Sequence, residues 1–169
     1  VIAANLFEAL AVLSDVKRRD EWVMSLKESR ILEGNVESKV VIYERIGLPW
    51  PISDRDSVVE SIIEQDLKKL EVSVSFQQIT HPKAPELDRV IRMPFVKGRM
   101  FFSYVDVHHC FAQFIIELDV GGSIPEWGVN YIVRQSPVKT IKGLLHQNKS
   151  TQGQYNELIK LHQTRALQQ

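Results

Sequence analysis

The sequence predicts one α+β domain in which short helices precede an antiparallel sheet and a long helix follows it. Three observations indicate this order. Apolar residues recur at helical spacing near the start, apolar and polar residues then alternate with a period of two, and a second helical pattern begins near Ile124. The 169 residues, 44% hydrophobic and 25% charged, are typical of a single soluble globular domain with its own core.

Two short helices are predicted at the start of the chain. Between Asn5 and Leu13, the residues Leu6, Leu10 and Leu13 fall on one side of a helix of about ten residues. The charged segment Asp15–Asp20 then breaks this pattern and is compatible with a second short helix. Trp22 offers a large apolar surface against which the two helices can pack.

The middle of the chain is rich in β-branched and aromatic residues separated by turn signals, as strands are. Gly34 and Asn35 predict a tight turn, and Pro94 and Gly98 predict that two neighbouring segments form one strand bent by a bulge. Sequential strands with short connections imply an antiparallel meander. The predicted strands are Ser29–Glu33, Val36–Ile46, Ser57–Leu67, Glu71–Ile79, Val90–Met93, Met100–Val105 and Cys110–Leu118.

A long helix is predicted after the last strand, from Ile124 to Gln135, and is expected to cover the concave face of the sheet. Ser123 is a candidate N-cap. Pro125 lies near the first turn, where the backbone N–H that proline lacks has no partner within the helix. Pro137 predicts a kink, followed by a second segment from Val138 to about Gln147. We therefore predict a domain over residues 1–147 and a helical extension over residues 148–169.

Composition argues against several classes of function. The 21 basic and 21 acidic side chains give a net charge of zero, so the chain lacks the positive electrostatic field that attracts nucleic acid. We therefore expect no nucleic-acid partner. Cys110 is the single cysteine, and the adjacent His108 and His109 point to opposite faces of a strand, so neither a disulfide nor a metal site is predicted. We expect no cofactor. No apolar run approaches the roughly 20 residues that span a bilayer.

The compartment stays open at this stage. The chain begins abruptly with the apolar residues Val1 to Ala4, which suggests a trimmed or partly ordered chain, from which a signal peptide could have been lost. We therefore expect a cytoplasmic protein, or a secreted or periplasmic one if such a peptide preceded it. The oligomeric state is likewise open.

Two segments carry a resemblance to a known family. Leu48–Asp56 reads LPWPISDRD and Asp119–Trp127 reads DVGGSIPEW. They resemble the Arg-Asp turn and the entry to the C-terminal helix of START domains, the steroidogenic-acute-regulatory-protein-related lipid-transfer family. The order of further matching positions supports the resemblance: Asp15, Trp22, Glu44, Pro49, Arg92, Pro125 and residues 127–130.

The resemblance implies a helix-grip fold, in which a strongly curved antiparallel sheet wraps around the long C-terminal helix and encloses a lipid-sized tunnel. It also implies that ligand enters near that helix and the neighbouring loops. The family's first strands have no counterpart before Val1, so an open sheet edge is expected, and such an edge attracts a partner strand. Arg55 and Asp56 are expected to fix a turn by hydrogen bonds and salt bridges.

Glu44 is the most informative polar residue. On its predicted strand it shares a face with Val40 and Ile42, whereas Tyr43 shares the other face with basic residues, which marks that second face as solvated. A carboxylate on the interior face needs a partner, because an unpaired buried charge costs several kcal/mol. Arg92 is the predicted partner. The pair either meets a polar group of a ligand or is a purely structural ion pair.

The remaining candidate ligand-binding residues are mostly apolar, and each also fits plain core packing. Ser61 stands where some sterol-binding START domains carry arginine, so the resemblance does not extend to sterol specificity. Tyrosines add a polar tip that can bond a ligand or a backbone group. The further candidates are Phe102, Tyr104, Phe114, Trp127, Tyr131 and Ile132.

Three functions compete at this stage. The leading hypothesis is a non-catalytic module that binds a lipid or other hydrophobic small molecule for transfer or sensing, with transient membrane contact. The alternative is a helix-grip enzyme, cyclase-like, aromatase-like or hydrolytic, that uses Glu44 as acid or base with help from Arg92 or Tyr104. The third is a regulatory or adaptor domain whose cavity is vestigial and whose tail binds protein. The apolar stripe of Leu158, Leu161 and Leu167 can dock on another chain or on the same chain, and docking on the same chain is favoured for a domain of this size.

Overall fold

The computed structural model describes residues 1–66, 68–150, 153–157, 159–160 and 163–164. Helix α1 is Leu6–Ser14, and a 3₁₀ helix follows at Val16–Glu21. Asn5 caps α1, because its side chain accepts from the Glu8 backbone N–H at 3.0 Å while the Glu8 carboxylate accepts from the Asn5 N–H at 3.1 Å. Both predicted N-terminal helices are confirmed.

In the described part of the chain, seven strands form one sheet. They are β1 Leu26–Gly34, β2 Lys39–Ile46, β3 Asp54–Asp66, β4 Glu71–Gln78, β5 Val90–Arg92, β6 Phe95–Asp106 and β7 His109–Asp119. Their spatial order is β1-β2-β3-β4-β6-β7 with antiparallel neighbours, while β5 lies beside β3. The predicted antiparallel sheet is confirmed, as is the turn at Gly34, whose φ of 78° suits glycine.

The prediction of one bent strand across Pro94 is wrong. Strand β5 pairs with β3 in parallel and sets Arg92 beside Asp56, whereas β6 pairs with β4 and β7. The chain therefore leaves one part of the sheet at residues 93–94 and joins another part. Because parallel pairing joins segments that are distant in sequence, the local pattern around Pro94 carries no sign of it.

The helical run after β7 consists of three parts. Helix α2 is Glu126–Asn130, a π-helical turn occupies Tyr131–Gln135, and α3 is Ser136–Ser150. The N-cap of α2 is Pro125 and not the predicted Ser123. The π turn ends at Gln135, just before the predicted kink at Ser136, and Pro137, which lacks a backbone donor, lies in the first turn of α3.

The two faces of the sheet are covered by different parts of the chain. The inner face, which carries Val72 and Phe102, packs against Leu6 and Leu10 of α1. The outer face carries Val41, Tyr43 and Val58 and is closed by the loop around Ala84. The prediction that the outer face is solvated is wrong at Val41 and Tyr43, because the segment between β4 and β5 buries both.

Helix α3 packs on α1 and on the 3₁₀ region. Leu144 joins Ala11, Val12, Trp22 and Tyr155 in one buried cluster. A Cβ atom at Gly143 would lie 2.1 Å from the backbone oxygen of Trp22, so only glycine permits this close approach. α3 continues without interruption past residue 147, and the described residues from 156 to 164 are helical. Leu158, Leu161 and Leu167 lie outside the described residues.

Candidate functional site

A cavity of about 60 Å³ lies between the inner face and α1. Its wall is apolar apart from a few polar groups, of which Arg19, Ser61 and Gln65 reach it from the 3₁₀ helix and from β3. The apolar lining comprises Leu10, Leu13, Val16, Val36, Val40, Ile42, Ile63, Val72, Val74 and Met100. The predicted inward position of Ser61 agrees with this geometry.

The cavity is smaller than the tunnel that the sequence implies. Pockets for small organic ligands hold roughly 300–1,000 Å³, so about 60 Å³ cannot enclose a lipid. The inner face nevertheless continues beyond the cavity: Val59 and Phe76 are partly exposed, and Phe114 and Ile116 on β7 are exposed at 37% and 47%. Cavity and uncovered inner face together form a groove, which we call the inner groove.

Glu44 lies on the inner face, but its partner is not the predicted one. Its carboxylate accepts from Arg19 Nη1 at 2.9 Å, and the two side chains are only 25% and 15% exposed. Arg19 itself lines the cavity and lies over the ring of Trp22 at 6.0 Å. Sequence reasoning missed Arg19, because nothing in the run Lys17-Arg18-Arg19 distinguishes it from its neighbours.

Arg92 bonds Asp56, so the predicted Glu44–Arg92 pair is wrong. Arg92 Nε donates to Asp56 Oδ1 at 2.7 Å, and Nη2 donates to Asp56 Oδ2 and to the Ala84 carbonyl, both at 3.1 Å. The bond to Asp56 raises the pKa of Arg92. Burial, with a smaller effect of Asp56, raises the pKa of the neighbouring Tyr43 to about 12. Arg92 therefore lies with Asp56 on the outer face and is not among the residues that line the cavity.

The aromatic candidates on β6 and β7 fall into two environments. Phe102 is fully buried, and its ring meets the half-exposed ring of Phe114 edge-on at a centroid distance of 5.8 Å. The pair thus links the closed core to the open part of the inner groove. Tyr104 lies near the end of the β6–β7 hairpin, 40% exposed, and its ring is not part of the cavity wall.

The candidates after β7 lie on what we call the lid, residues 126–135. Trp127 is 48% exposed, and Ile132 is partly buried. The hydroxyl groups of Tyr131 and Ser25 are 2.7 Å apart, which ties the lid to the chain just before β1. A Cβ at Gly128 would lie 2.7 Å from Ile52 Cδ1, so the lid also packs closely on the loop before β3.

Arg55 and Asp56 hold turns in place, as expected. Asp56 serves the ion pair with Arg92, whereas Arg55 binds backbone oxygens of Ser53, Val120 and Gly121 at 2.6, 3.0 and 3.0 Å. Arg55 is 2% exposed, and burial lowers the pKa of its guanidinium. The arginine thus connects the loop before β3 to the turn that leads into the lid.

Cys110 is buried against α1, and burial raises the pKa of its thiol to about 11. A thiol with so high a pKa is a poor nucleophile. Across the described residues, no group of three or more His, Cys, Asp or Glu side chains is arranged to hold a metal ion. No helix in that part of the chain has both the length and the apolar character needed to cross a membrane.

An antiparallel sheet with an apolar, partly open inner face, short N-terminal helices before it and a helical C-terminal segment after it is the architecture of a helix-grip domain. The family model described as START domain matches residues 2–152. The chain therefore belongs to the START domain family.

Several relatives support this assignment. An uncharacterized protein of Pseudomonas aeruginosa is 30% identical over 148 residues, which are 85% of this chain and 69% of that protein. The phosphatidylcholine transfer protein of Bos taurus is 29% identical over 137 residues, 79% of this chain and 63% of that protein. The chain thus spans about two thirds of the length of these curated relatives.

A solved structure agrees with the fold. The STAR-related lipid transfer protein from Xanthomonas axonopodis superposes with a TM-score of 0.74 at 23% identity, covering 88% of this chain and 81% of that one. At this identity the likeness establishes the fold, and the ligand has to be argued from the groove itself.

Proposed function

We propose that this domain binds one lipid or other hydrophobic small molecule in the inner groove, for transfer or sensing, without chemical conversion. The observation that carries the proposal is the inner face itself. Its apolar residues Val59, Phe76, Phe114 and Ile116 stay partly exposed beside a small cavity. Covering such surface with an apolar ligand contributes roughly 25 cal/mol per Å² before ordering costs.

Binding requires the inner groove to widen. The cavity of about 60 Å³ is closed on one side by α1, which packs tightly, while the lid makes fewer contacts with the sheet. Movement of the lid therefore costs less than movement of α1. A ligand would enter beside the lid and push its apolar end toward Val74 and Met100, which line the cavity.

The Glu44–Arg19 pair is the proposed polar anchor. Arg19 lines the cavity, and Glu44 is bonded to it on the same inner face. Both side chains are partly exposed, so each can exchange part of its hydrogen bonding with a ligand hydroxyl, carbonyl or phosphate group. Ser61 offers a hydroxyl on the same wall. One charged pair in an apolar groove orients an amphipathic ligand with its polar end toward the 3₁₀ helix.

The enzymatic alternative has less support from the geometry. Its proposed helpers do not surround Glu44: Arg92 bonds Asp56 on the outer face, and Tyr104 lies at the hairpin end. The Glu44 carboxylate is engaged by Arg19. A Glu44→Gln variant that retains lipid uptake but loses turnover of a polyketide-like or steroid-like substrate would favour catalysis over binding.

Two exposed tryptophans mark the proposed membrane contact. Trp50, in the loop before β3, is 91% exposed, and Trp127 on the lid is 48% exposed. Ile52 packs beside Gly128, so the loop and the lid form one surface. Indole rings favour the interface between lipid and water. We propose that this surface touches a bilayer while the ligand enters or leaves.

A pair of adjacent substitutions tests the binding site. Ser61→Trp fills the cavity, whereas Ile62→Trp places the same side chain on the solvent-facing outer side, where Ile62 is 44% exposed. Native mass spectrometry after incubation with phosphatidylcholine vesicles measures the bound lipid. We expect at least tenfold less lipid on Ser61→Trp than on wild type and unchanged lipid on Ile62→Trp. Equal loading of both variants, each folded by circular dichroism, would contradict the inner groove as the site.

A further inference from the structure

Arg55 is a buried cation whose three hydrogen bonds all go to backbone carbonyls. The described part of the chain provides it with no carboxylate partner, although Asp56 next to it forms an ion pair with Arg92. A buried guanidinium is usually matched by a carboxylate. The three carbonyls therefore replace an ion pair, and they belong to two separate segments.

The two segments border the lid. Ser53 ends the loop before β3, residues 47–53, which we call the Trp50 loop. Val120 and Gly121 begin the turn that leads from β7 to α2. This turn is also packed from the other side, since a Cβ at Gly121 would lie 2.9 Å from Pro94 and one at Gly122 would lie 2.9 Å from Ile91. Both glycines have positive φ, 63° and 67°. The base of the lid is thus held in one conformation by bonds and by packing.

We propose that Arg55 is a positioning residue for ligand exchange, which clamps the Trp50 loop to the base of the lid and keeps the inner groove from widening between exchange events. This inference rests on the proposed binding function. Opening the clamp would leave a buried cation without its acceptors, so the closed arrangement is favoured. While the clamp holds, the base of the lid cannot move away from the Trp50 loop, and the inner groove widens only when the clamp is released.

Lysine cannot replace Arg55 in this clamp. The three carbonyls meet Nε, Nη1 and Nη2 separately, and one ammonium group has a single nitrogen from which to reach them all. Arg55→Lys therefore keeps the charge and removes the geometry. Val58→Ala is the matched control, because Val58 is fully buried on the outer face of the same strand and lies apart from the clamp.

Two measurements on the whole chain test the proposal. Hydrogen exchange by mass spectrometry follows the amides of residues 48–54 and 119–126. Fluorescence follows the release of a pyrene-labelled phosphatidylcholine from the protein to unlabelled vesicles. For Arg55→Lys we expect about tenfold faster amide exchange in both segments and about tenfold faster lipid release, at unchanged saturating load. Val58→Ala should leave both quantities at the wild-type value.

The outcomes separate this inference from the binding proposal. If wild type takes up the labelled lipid and Arg55→Lys releases it at the wild-type rate, the role of Arg55 is overturned and binding stands. If wild type takes up no lipid, both proposals fail. In that case, faster amide exchange in Arg55→Lys would mean that Arg55 is a purely structural clamp. If Arg55→Lys does not fold, Gly122→Ala disturbs the same junction, because the added Cβ lies 3.4 Å from Arg55 Nη2. Unchanged release in that variant would overturn the proposal equally.

Discussion

The α1 side and the lid side of the inner face differ in how completely they are packed. On the α1 side, Leu6 and Phe102 are fully buried, and Leu144 of α3 closes a second layer behind α1. On the lid side, Trp127 and Phe114 are 48% and 37% exposed. From this difference we infer that the α1 side contributes more to the stability of the domain, and that the lid side can move at a lower cost.

Two phenylalanines that touch each other give the largest expected contrast. Phe102→Ala removes a fully buried ring from the α1 side, and we expect a loss of about 4 kcal/mol in the free energy of unfolding. Phe114→Ala removes the half-exposed partner ring, so we expect about 1 kcal/mol. Urea denaturation of both variants measures the difference. Equal losses would mean that the lid side is packed as tightly as the α1 side.

Two glycines in the C-terminal helices give the next contrast. Gly143→Ala places a Cβ 2.1 Å from the Trp22 carbonyl oxygen, and backbone cannot move aside cheaply, so we expect a loss of about 2 kcal/mol. Gly128→Ala meets the Ile124 and Ile52 side chains, which can rotate. Its cost is offset by the roughly 1 kcal/mol higher helix propensity of alanine. Thermal unfolding should therefore leave Gly128→Ala within about 1 kcal/mol of wild type.

Cys110 reports whether the α1 side opens. A thiol pKa near 11, compared with an ordinary value near 9, lowers the thiolate fraction at pH 8 by a factor of about 100, and burial blocks access as well. Because burial raises the pKa, reactivity should appear on unfolding or as the pH rises toward 11. Iodoacetamide labelling followed by mass spectrometry checks this. Rapid labelling of the folded protein at pH 8 would show that the α1 side opens as well.

Trp50→Ala should have the smallest effect on stability. Its side chain is 91% exposed, so the free energy of unfolding should change by less than about 0.5 kcal/mol. Binding to phosphatidylcholine vesicles, measured by flotation, should fall several-fold, because the exposed indole is lost from the proposed contact surface. Trp22→Phe on the α1 side is the control and should leave flotation unchanged. Unaltered flotation of Trp50→Ala would place the membrane contact elsewhere.

Sequence periodicity was sufficient for the elements that pack locally. The helical spacing of Leu6 and Leu10, the turn at Gly34 and the strands of the antiparallel pairs all follow from neighbours close in the chain. The burial of Tyr43 could not be predicted, because it depends on a loop forty residues later that carries Ala84. Periodicity identifies two faces of a strand, and a long-range connection decides which of them is covered.

The site was predicted less well for the same reason. Placing Glu44 on the inner face required only the alternation of its strand, but its partner required knowing where the 3₁₀ helix packs. Arg92 was assigned to the wrong carboxylate because the parallel pairing of β5 with β3 sets it beside Asp56. Opposite charges pair by three-dimensional proximity, and that proximity is set by the topology of the sheet.

The three tryptophans make the domain its own optical probe. Trp22 is 6% exposed, Trp127 is 48% exposed and Trp50 is 91% exposed, so their indoles sample an apolar, an intermediate and an aqueous environment. The fluorescence emission maximum should lie at the shortest wavelength for Trp22 and at the longest for Trp50. Iodide should quench Trp50 most, Trp127 less and Trp22 least. Variants that keep a single indole would then let one spectrum follow the core, the lid or the outermost loop in turn.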